Sequence, residues 1–278
     1  MNKEIKIYQV DAFTNKAFKG NPAAVCILEE DINDDLMRSI AQEMNLSETA
    51  FVKPLECSDV NSCSFFSLRW FTPEVEVDLC GHATIATSKV LFDEFNISGQ
   101  EIKYQTKSGT LIAKRENEKI GLDFPIDKPL NFELTEDILK AMGIKKYFKA
   151  IIGEKTRKLV IELESEEEII NLQPNFEKLK VLSFNTNVKG IGVTCKGRKK
   201  YDFISRYFNP WAGINEDPVT GSVHTLLASY WSSILNKSEM LSYQCSNRGG
   251  EILIKVLENN RVELSGEAVV VFKGELYI

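Results

Sequence analysis

A strand, loop and helix pattern occurs twice in this chain. The first copy reads Arg69-Trp70-Phe71-Thr72-Pro73, then Gly81-His82-Ala83-Thr84, then an apolar run to Phe92. The second reads Arg206-Tyr207-Phe208-Asn209-Pro210, then Gly221-Ser222-Val223-His224, then an apolar run to Leu235. A third match follows in the same order: Lys107-Ser108-Gly109-Thr110-Leu111-Ile112 against Asn247-Arg248-Gly249-Gly250-Glu251-Ile252-Leu253. Each copy has the same grammar. An aromatic strand ends at a proline turn, a loop carrying acids leads to a glycine, a helix starts, and a hairpin follows. An internal repeat of this size predicts two similar halves.

The periodicity fills in the elements. Ala83, Ala86, Thr87, Val90 and Leu91 fit a helical period after Gly81; Val223, Leu226, Leu227, Tyr230, Trp231 and Ile234 do so after Gly221. Both helices are apolar around much of their girth, which predicts burial inside curved sheets. Residues 5–13 alternate as a strand. Residues 33–44 read as an amphipathic helix with Leu36, Met37, Ile40, Ala41 and Met44 on one face and Asn33 as N-cap. Glu48 to Val52 returns to strand. The acidic stretch Glu164-Ser165-Glu166-Glu167-Glu168 suits the electropositive start of a solvated helix. The division between halves is expected near Pro125 to Pro129, giving residues 1–125, with the C-terminal strand 267–278 as a candidate addition, and residues 126–266.

Composition excludes several classes of function. The chain has 278 residues, 43% hydrophobic and 27% charged, ordinary for a globular protein of one or two cores. A formal charge of −6 and the scatter of Lys and Arg argue against a polyanion partner, so no nucleic acid is expected. The short basic cluster Arg198-Lys199-Lys200 reads as a solvated turn. No signal-like or membrane-length apolar stretch is seen, and a cytoplasmic protein without membrane contact is expected. Cys26, Cys57, Cys63, Cys80, Cys195 and Cys245 are dispersed and read as reduced thiols. His82 and His224 are the two histidines, and no second ligand pair accompanies Cys80 and His82, so no metal is expected.

Three constellations could carry chemistry. The duplicated helix starts at Gly81 and Gly221 would offer unpaired N–H groups to a carboxylate; the plain alternative is that both glycines only permit tight turns. Glu48 lies in Asn45-Leu46-Ser47-Glu48-Thr49-Ala50-Phe51, at a helix-to-strand junction among apolar neighbours. Desolvation there would raise its pKa toward a working pH, although an arbitrary glutamate is more often a surface residue. Glu216-Asp217-Pro218-Val219-Thr220-Gly221-Ser222 places an acid pair before a helix, where it can cap the helix or hold a catalytic histidine. His82 sits beside Gly81 at a helix start, a fair place for acid/base work. Cys80 reads either as a low-pKa thiolate near the helix end or as a small buried residue.

Four segments together resemble the phenazine-biosynthesis (PhzF-like) family. They are Gly20-Asn21-Pro22-Ala23-Ala24-Val25, residues 45–51, Glu76-Val77-Asp78-Leu79-Cys80-Gly81-His82-Ala83-Thr84, and residues 217–222, in the family's order. The resemblance implies an α+β fold like that of diaminopimelate epimerase. Two pseudo-symmetric lobes would each wrap a curved, mostly antiparallel sheet or barrel around a central helix, with the active site between them. It implies an isomerase without metal or organic cofactor, acting on a small organic acid, with a homodimer as a family-level expectation. The family's catalytic glutamate falls on Glu48, and its supporting residues on His82, Asp217 and Ser222. Substrate-anchoring groups fall at Gly81 and Gly221, and Asn21, Cys80 and Thr220 border the same site.

The resemblance bears on two alternatives. Cofactor-independent epimerases of amino acids use two opposed thiols. Cys80 falls at the first position, but Thr220 falls at the second, and its hydroxyl is far too basic for that task. One carboxylic base is the better fit. The other alternative keeps the fold and binds a small anion without turnover.

Overall fold

The computed structural model describes residues 4–57, 59–182 and 187–278. It divides into two compact units, residues 1–123 with 265–278, and residues 124–264. Both divisions fall within strands.

The first unit contains β1 (Glu4–Ala12), β2 (Asn21–Ile27), α1 (Asp34–Met44), β3 (Glu48–Pro54), β4 (Phe65–Phe71), β5 (Glu76–Val77), α2 (Gly81–Asp93), β6 (Glu101–Thr106), β7 (Gly109–Glu116) and most of β8 (Lys119–Pro125). The last strand of the chain, Ala268–Tyr277, pairs antiparallel with β1 along its whole length. β1 also pairs antiparallel with β2, and β2 runs parallel to β3 with α1 as the crossover. β3, β4 and β5 are antiparallel neighbours. β4 is parallel to β6 with α2 as the crossover, and β6, β7 and β8 continue antiparallel.

The second unit contains β9 (Pro129–Asn131), α3 (Glu136–Met142), β10 (Lys149–Gly153), β11 (Leu159–Glu162), α4 (Glu166–Ile170), α5 (Phe176–Lys180), β12 (Ile191–Lys196), β13 (Phe203–Asn209), β14 (Ile214–Asp217), α6 (Gly221–Leu235), β15 (Glu239–Gln244), β16 (Gly250–Leu257) and most of β17 (Arg261–Gly266). β10 pairs antiparallel with β9 and β11, and β11 is parallel to β12. β12, β13 and β14 are antiparallel neighbours, β13 is parallel to β15, and β15 is antiparallel to β16. The order of pairings in the first unit is thus repeated in the second. Each sheet is mixed, because a strand that returns through a helix re-enters in the same direction as the one it left.

Local sequence explains the helices. Asn33 caps α1 by accepting from the Leu36 N–H at 2.8 Å, and Asn45 ends it in the left-handed region at φ 49°. Met37, Ile40 and Ala41 are buried against β-strand residues Ile5, Ile7, Cys26 and Phe51, with Leu36 and Met44 packed at the edge. Ser165 caps α4, which opens with Glu166, Glu167 and Glu168. α2 packs against β1, β2, β3, β7 and the last strand, and nearly all its residues are buried. Its interior hydroxyls turn back on the helix: Thr84, Thr87 and Ser88 donate to carbonyls four residues earlier at 2.6, 2.7 and 2.8 Å. α6 buries Leu226, Leu227, Tyr230 and Trp231, and the Trp231 indole N–H donates to Thr194 Oγ1 at 3.0 Å. Ile234 departs from the expected apolar face. It is 51% exposed, in a last turn where Ser233, Asn236 and Lys237 are exposed as well.

The acid-bearing loops expected before each helix contain the short strands β5 and β14. An arginine fixes each one. Arg69 grips Glu76 at 2.8 and 2.9 Å, and Arg206 grips Glu216 at 2.7 and 2.9 Å. All six cysteines are free thiols. Among the described residues no helix is long and apolar enough to cross a membrane.

Candidate functional site

Glu48 is the first residue of β3, three residues beyond the Asn45 that ends α1. Its register partner on β2 is Ala23. Asn21, fully buried, opens the same strand two residues earlier. Gly20 places it there: its φ is +63°, and a Cβ would lie 2.1 Å from the Ala12 carbonyl oxygen, so no other residue fits.

His82 reaches Glu48 from the second position of α2. Its Nε2 lies 3.2 Å from Glu48 Oε2 and 3.4 Å from Ser47 Oγ. The carboxylate contact is an ion pair that lacks the alignment of a hydrogen bond. On the opposite edge of the ring, Nδ1 lies 3.5 Å from Cys80 Sγ. The side chains of His82 and Glu48 are 9% and 19% exposed, and Cys80 is buried.

The charges follow from this packing. Burial opposes ionisation of Glu48, but the charge of His82, with the polar edges of His82 and Ser47 turned to the carboxyl, outweighs it, and the carboxyl is held below its ordinary value. The expected upward shift is therefore corrected: desolvation is present, and a neighbouring imidazolium overrides it. Burial also opposes the imidazolium, yet Cys80 and Glu48 lift His82 well above its ordinary value. Burial and the Glu48 charge push the Cys80 thiol up, so Cys80 is the small buried residue of the two readings and not a low-pKa thiolate.

Among the described residues, Glu48, Cys80 and His82 have ligand-type atoms within 4.8 Å of one another, close enough to approach a metal ion. Glu48 and Cys80 address opposite edges of one ring, however, so a single ion could not bond all three without the imidazole turning.

The second helix start has its own network. Thr220 is the N-cap of α6, and its hydroxyl donates to Asp217 Oδ2 at 2.6 Å. That hydroxyl is committed as a donor, which suits it poorly to acid/base work. The acid pair is split: Glu216 goes to Arg206 and Asp217 to Thr220. Gln244 ties the corner together. Its Oε1 accepts from the Thr220 N–H at 2.9 Å, and its Nε2 donates to the Asp217 carbonyl at 2.7 Å. Ser222, on the first turn, is exposed. His224 is buried; its Nδ1 meets the Thr220 carbonyl at 2.6 Å, and burial pushes it down to about 4, so it stays neutral.

Neither Cys80 nor Thr220 caps its helix through a side-chain hydrogen bond. The first-turn N–H groups at Gly81 and Gly221 thereby lack the oxygen that Ser or Asp would supply at these positions. A Cβ built on Gly221 would meet no described atom within 4 Å, so packing does not demand glycine there.

Of the residues singled out in the sequence, the first unit brings together Glu48, His82 and Cys80, with Gly81 adjoining them and Asn21 on the neighbouring strand. The second brings together Asp217 and Thr220, followed directly by Gly221 and Ser222. Ser47 and Gln244 acquire roles the sequence did not assign. Ser47 lay inside a recognised segment, whereas nothing local links Gln244 to a turn 24 residues away.

Fold and site define a mixed-sheet α+β protein with a duplicated strand and helix unit, carrying a carboxylate, an imidazole and a thiol at one uncapped helix start. The phenazine biosynthesis-like protein family matches residues 10–274. An uncharacterized isomerase from Halalkalibacterium halodurans is 46% identical over 275 residues, covering 98% of each chain. The crystal structure of a phenazine biosynthesis protein of the PhzF family from Enterococcus faecalis superposes with a TM-score of 0.91 at 40% identity, covering 99% of this chain and 100% of that one. The chain belongs to the phenazine biosynthesis-like family. Its fold also resembles that of a hydroxyproline epimerase from Agrobacterium vitis, at a TM-score of 0.62 and 10% identity, covering 99% of this chain and 93% of that one.

Proposed function

We propose that the protein is an isomerase that moves a proton on a small organic acid, with Glu48 as general base and then general acid. The observation that carries this reading is the Glu48–His82 pair at 3.2 Å, mostly buried, at the uncapped start of α2. A carboxylate held ionised can accept a proton from carbon, and a buried setting raises the strength of its interactions. Once protonated, Glu48 no longer neutralises His82, which favours return of the proton. Helix-start N–H groups would hold the substrate carboxylate and stabilise charge that develops beside it.

The isomerase names carried by relatives support the reaction class. The resemblance assigns Asp217, Thr220, Gly221 and Ser222 to the same substrate. That assignment belongs to the proposal, as does the description of the two units as two lobes of one enzyme. The uncapped start of α6 and the open space at Gly221 support a ligand approaching that backbone. The reaction as proposed draws on side chains and backbone alone.

The test is carbon-bound hydrogen exchange. The protein is incubated in deuterated water with a panel of small carboxylic acids that carry an acidic C–H, and deuterium incorporation is read by NMR. Incorporation into one member supports the isomerase. Saturable binding of the acids without incorporation into any of them would instead assign a non-catalytic anion-binding protein.

A further inference from the structure

The mechanism above uses two of the three side chains at the start of α2 and leaves Cys80 without a part. Its sulfur nevertheless sits at the Nδ1 edge of the His82 imidazole. The backbone fixes that arrangement. Cys80 is the extended N-cap residue, with φ −141° and ψ 106°, and His82 is the second residue of the helix that follows. A serine or aspartate in this place would send its oxygen to the helix N–H groups. A thiol is a weak partner for them, and here Cys80 makes no cap bond and meets His82 Nδ1 instead.

We propose that Cys80 is a positioning residue, whose sulfur holds the Nδ1 edge of His82 so that the Nε2 edge stays on Glu48. An imidazole this deeply buried needs a partner on each nitrogen to remain in one orientation and to carry a second proton. Glu48 and Ser47 serve Nε2, and Cys80 serves Nδ1. Glu48 carries the charge that favours the imidazolium against burial, and the neutral Cys80 sulfur faces the other ring nitrogen. Glu48 faces His82 and Ser47, and Cys80 faces His82 and Glu48. A thiol holds the α2 N–H groups more weakly than an oxygen would while still supporting the ring. The consequence for catalysis rests on the reading of Glu48 as base; the link from Cys80 to His82 does not.

The test uses ligand-free, full-length protein and the ¹⁵N signals of its two histidines. In the wild type at neutral pH we expect both ring nitrogens of His82 to be protonated. In Cys80→Ala the His82 titration should move to lower pH, while His224, which meets Thr220 in the other unit, should not move. An unmoved His82 titration in Cys80→Ala would overturn the proposal. So would a neutral wild-type ring at neutral pH, a result available even if the variant does not fold. Thermal unfolding of the variant reports lost packing, and a cavity that merely admitted water would relieve burial and raise the His82 titration rather than lower it. The outcome stands apart from the exchange experiment, since no substrate is present.

Discussion

Two opposing effects meet at Glu48, and their balance sets the pH dependence of the site. Burial favours the neutral acid and His82 favours the carboxylate, and the second wins. A carboxyl held below its unfolded value adds stability that is present above that value and is lost as pH falls through the folded one. The raised His82 adds stability that is fully present below its unfolded value, about 6.5, and is lost as pH rises through the folded one. The pair therefore contributes most between those two limits. We expect the difference in urea midpoint between wild type and His82→Asn to peak inside that window and shrink on both sides. A difference independent of pH would show that His82 acts by packing alone. Glu48 was legible as a partly desolvated carboxylate from Leu46, Ala50 and Phe51. The direction of its pKa was not, because the deciding charge lies 34 residues further along the chain, on a different element.

Helices α2 and α6 owe their place to sequence features that are local, and those features were readable. Proline and glycine punctuate the strand ends and helix starts in both copies, and the apolar residues follow the helical period. β5 and β14 were not readable, since strands of two and four residues carry no alternation and depend on the Arg69–Glu76 and Arg206–Glu216 pairs. The same geometry gives a contrast in stability. Leu226 is fully buried, so Leu226→Ala should cost about 2 to 5 kcal/mol. Ile234, in the exposed last turn, should tolerate alanine to within about 0.5 kcal/mol. Chemical denaturation of both variants checks this, and equal costs would contradict the burial of α6. Gly221→Ala tests the helix start itself. The new methyl group meets open space and the helix gains a better former, so stability should hold or rise by about 0.4 to 1 kcal/mol. Stabilisation by added benzoate, read as a shift in thermal midpoint, should weaken if a carboxylate approaches that backbone closely. Undiminished stabilisation would leave Gly221 a turn residue only.

For the whole molecule, the repeat in the sequence corresponds to a repeat in strand pairing, and the chain's final strand completes the first unit by returning to β1. Residues 267–278 were already a candidate addition to the first half, but their partner β1 could not be read from spacing, because the two strands are separated by nearly the whole chain. Family membership and the isomerase names of its relatives point to proton transfer, and Glu48 is the group on which that reading turns. The most direct measurement is the rate of deuterium incorporation into whichever acid the panel identifies, at saturating concentration, for wild type and Glu48→Gln. Glutamine keeps size and hydrogen bonding but cannot accept the proton. A positioned acid/base group contributes about a hundred- to ten-thousand-fold, so incorporation should slow by that factor, about 3 to 5 kcal/mol in the barrier, with acid binding retained. Incorporation by Glu48→Gln at the wild-type rate would contradict the assignment of Glu48 as the base.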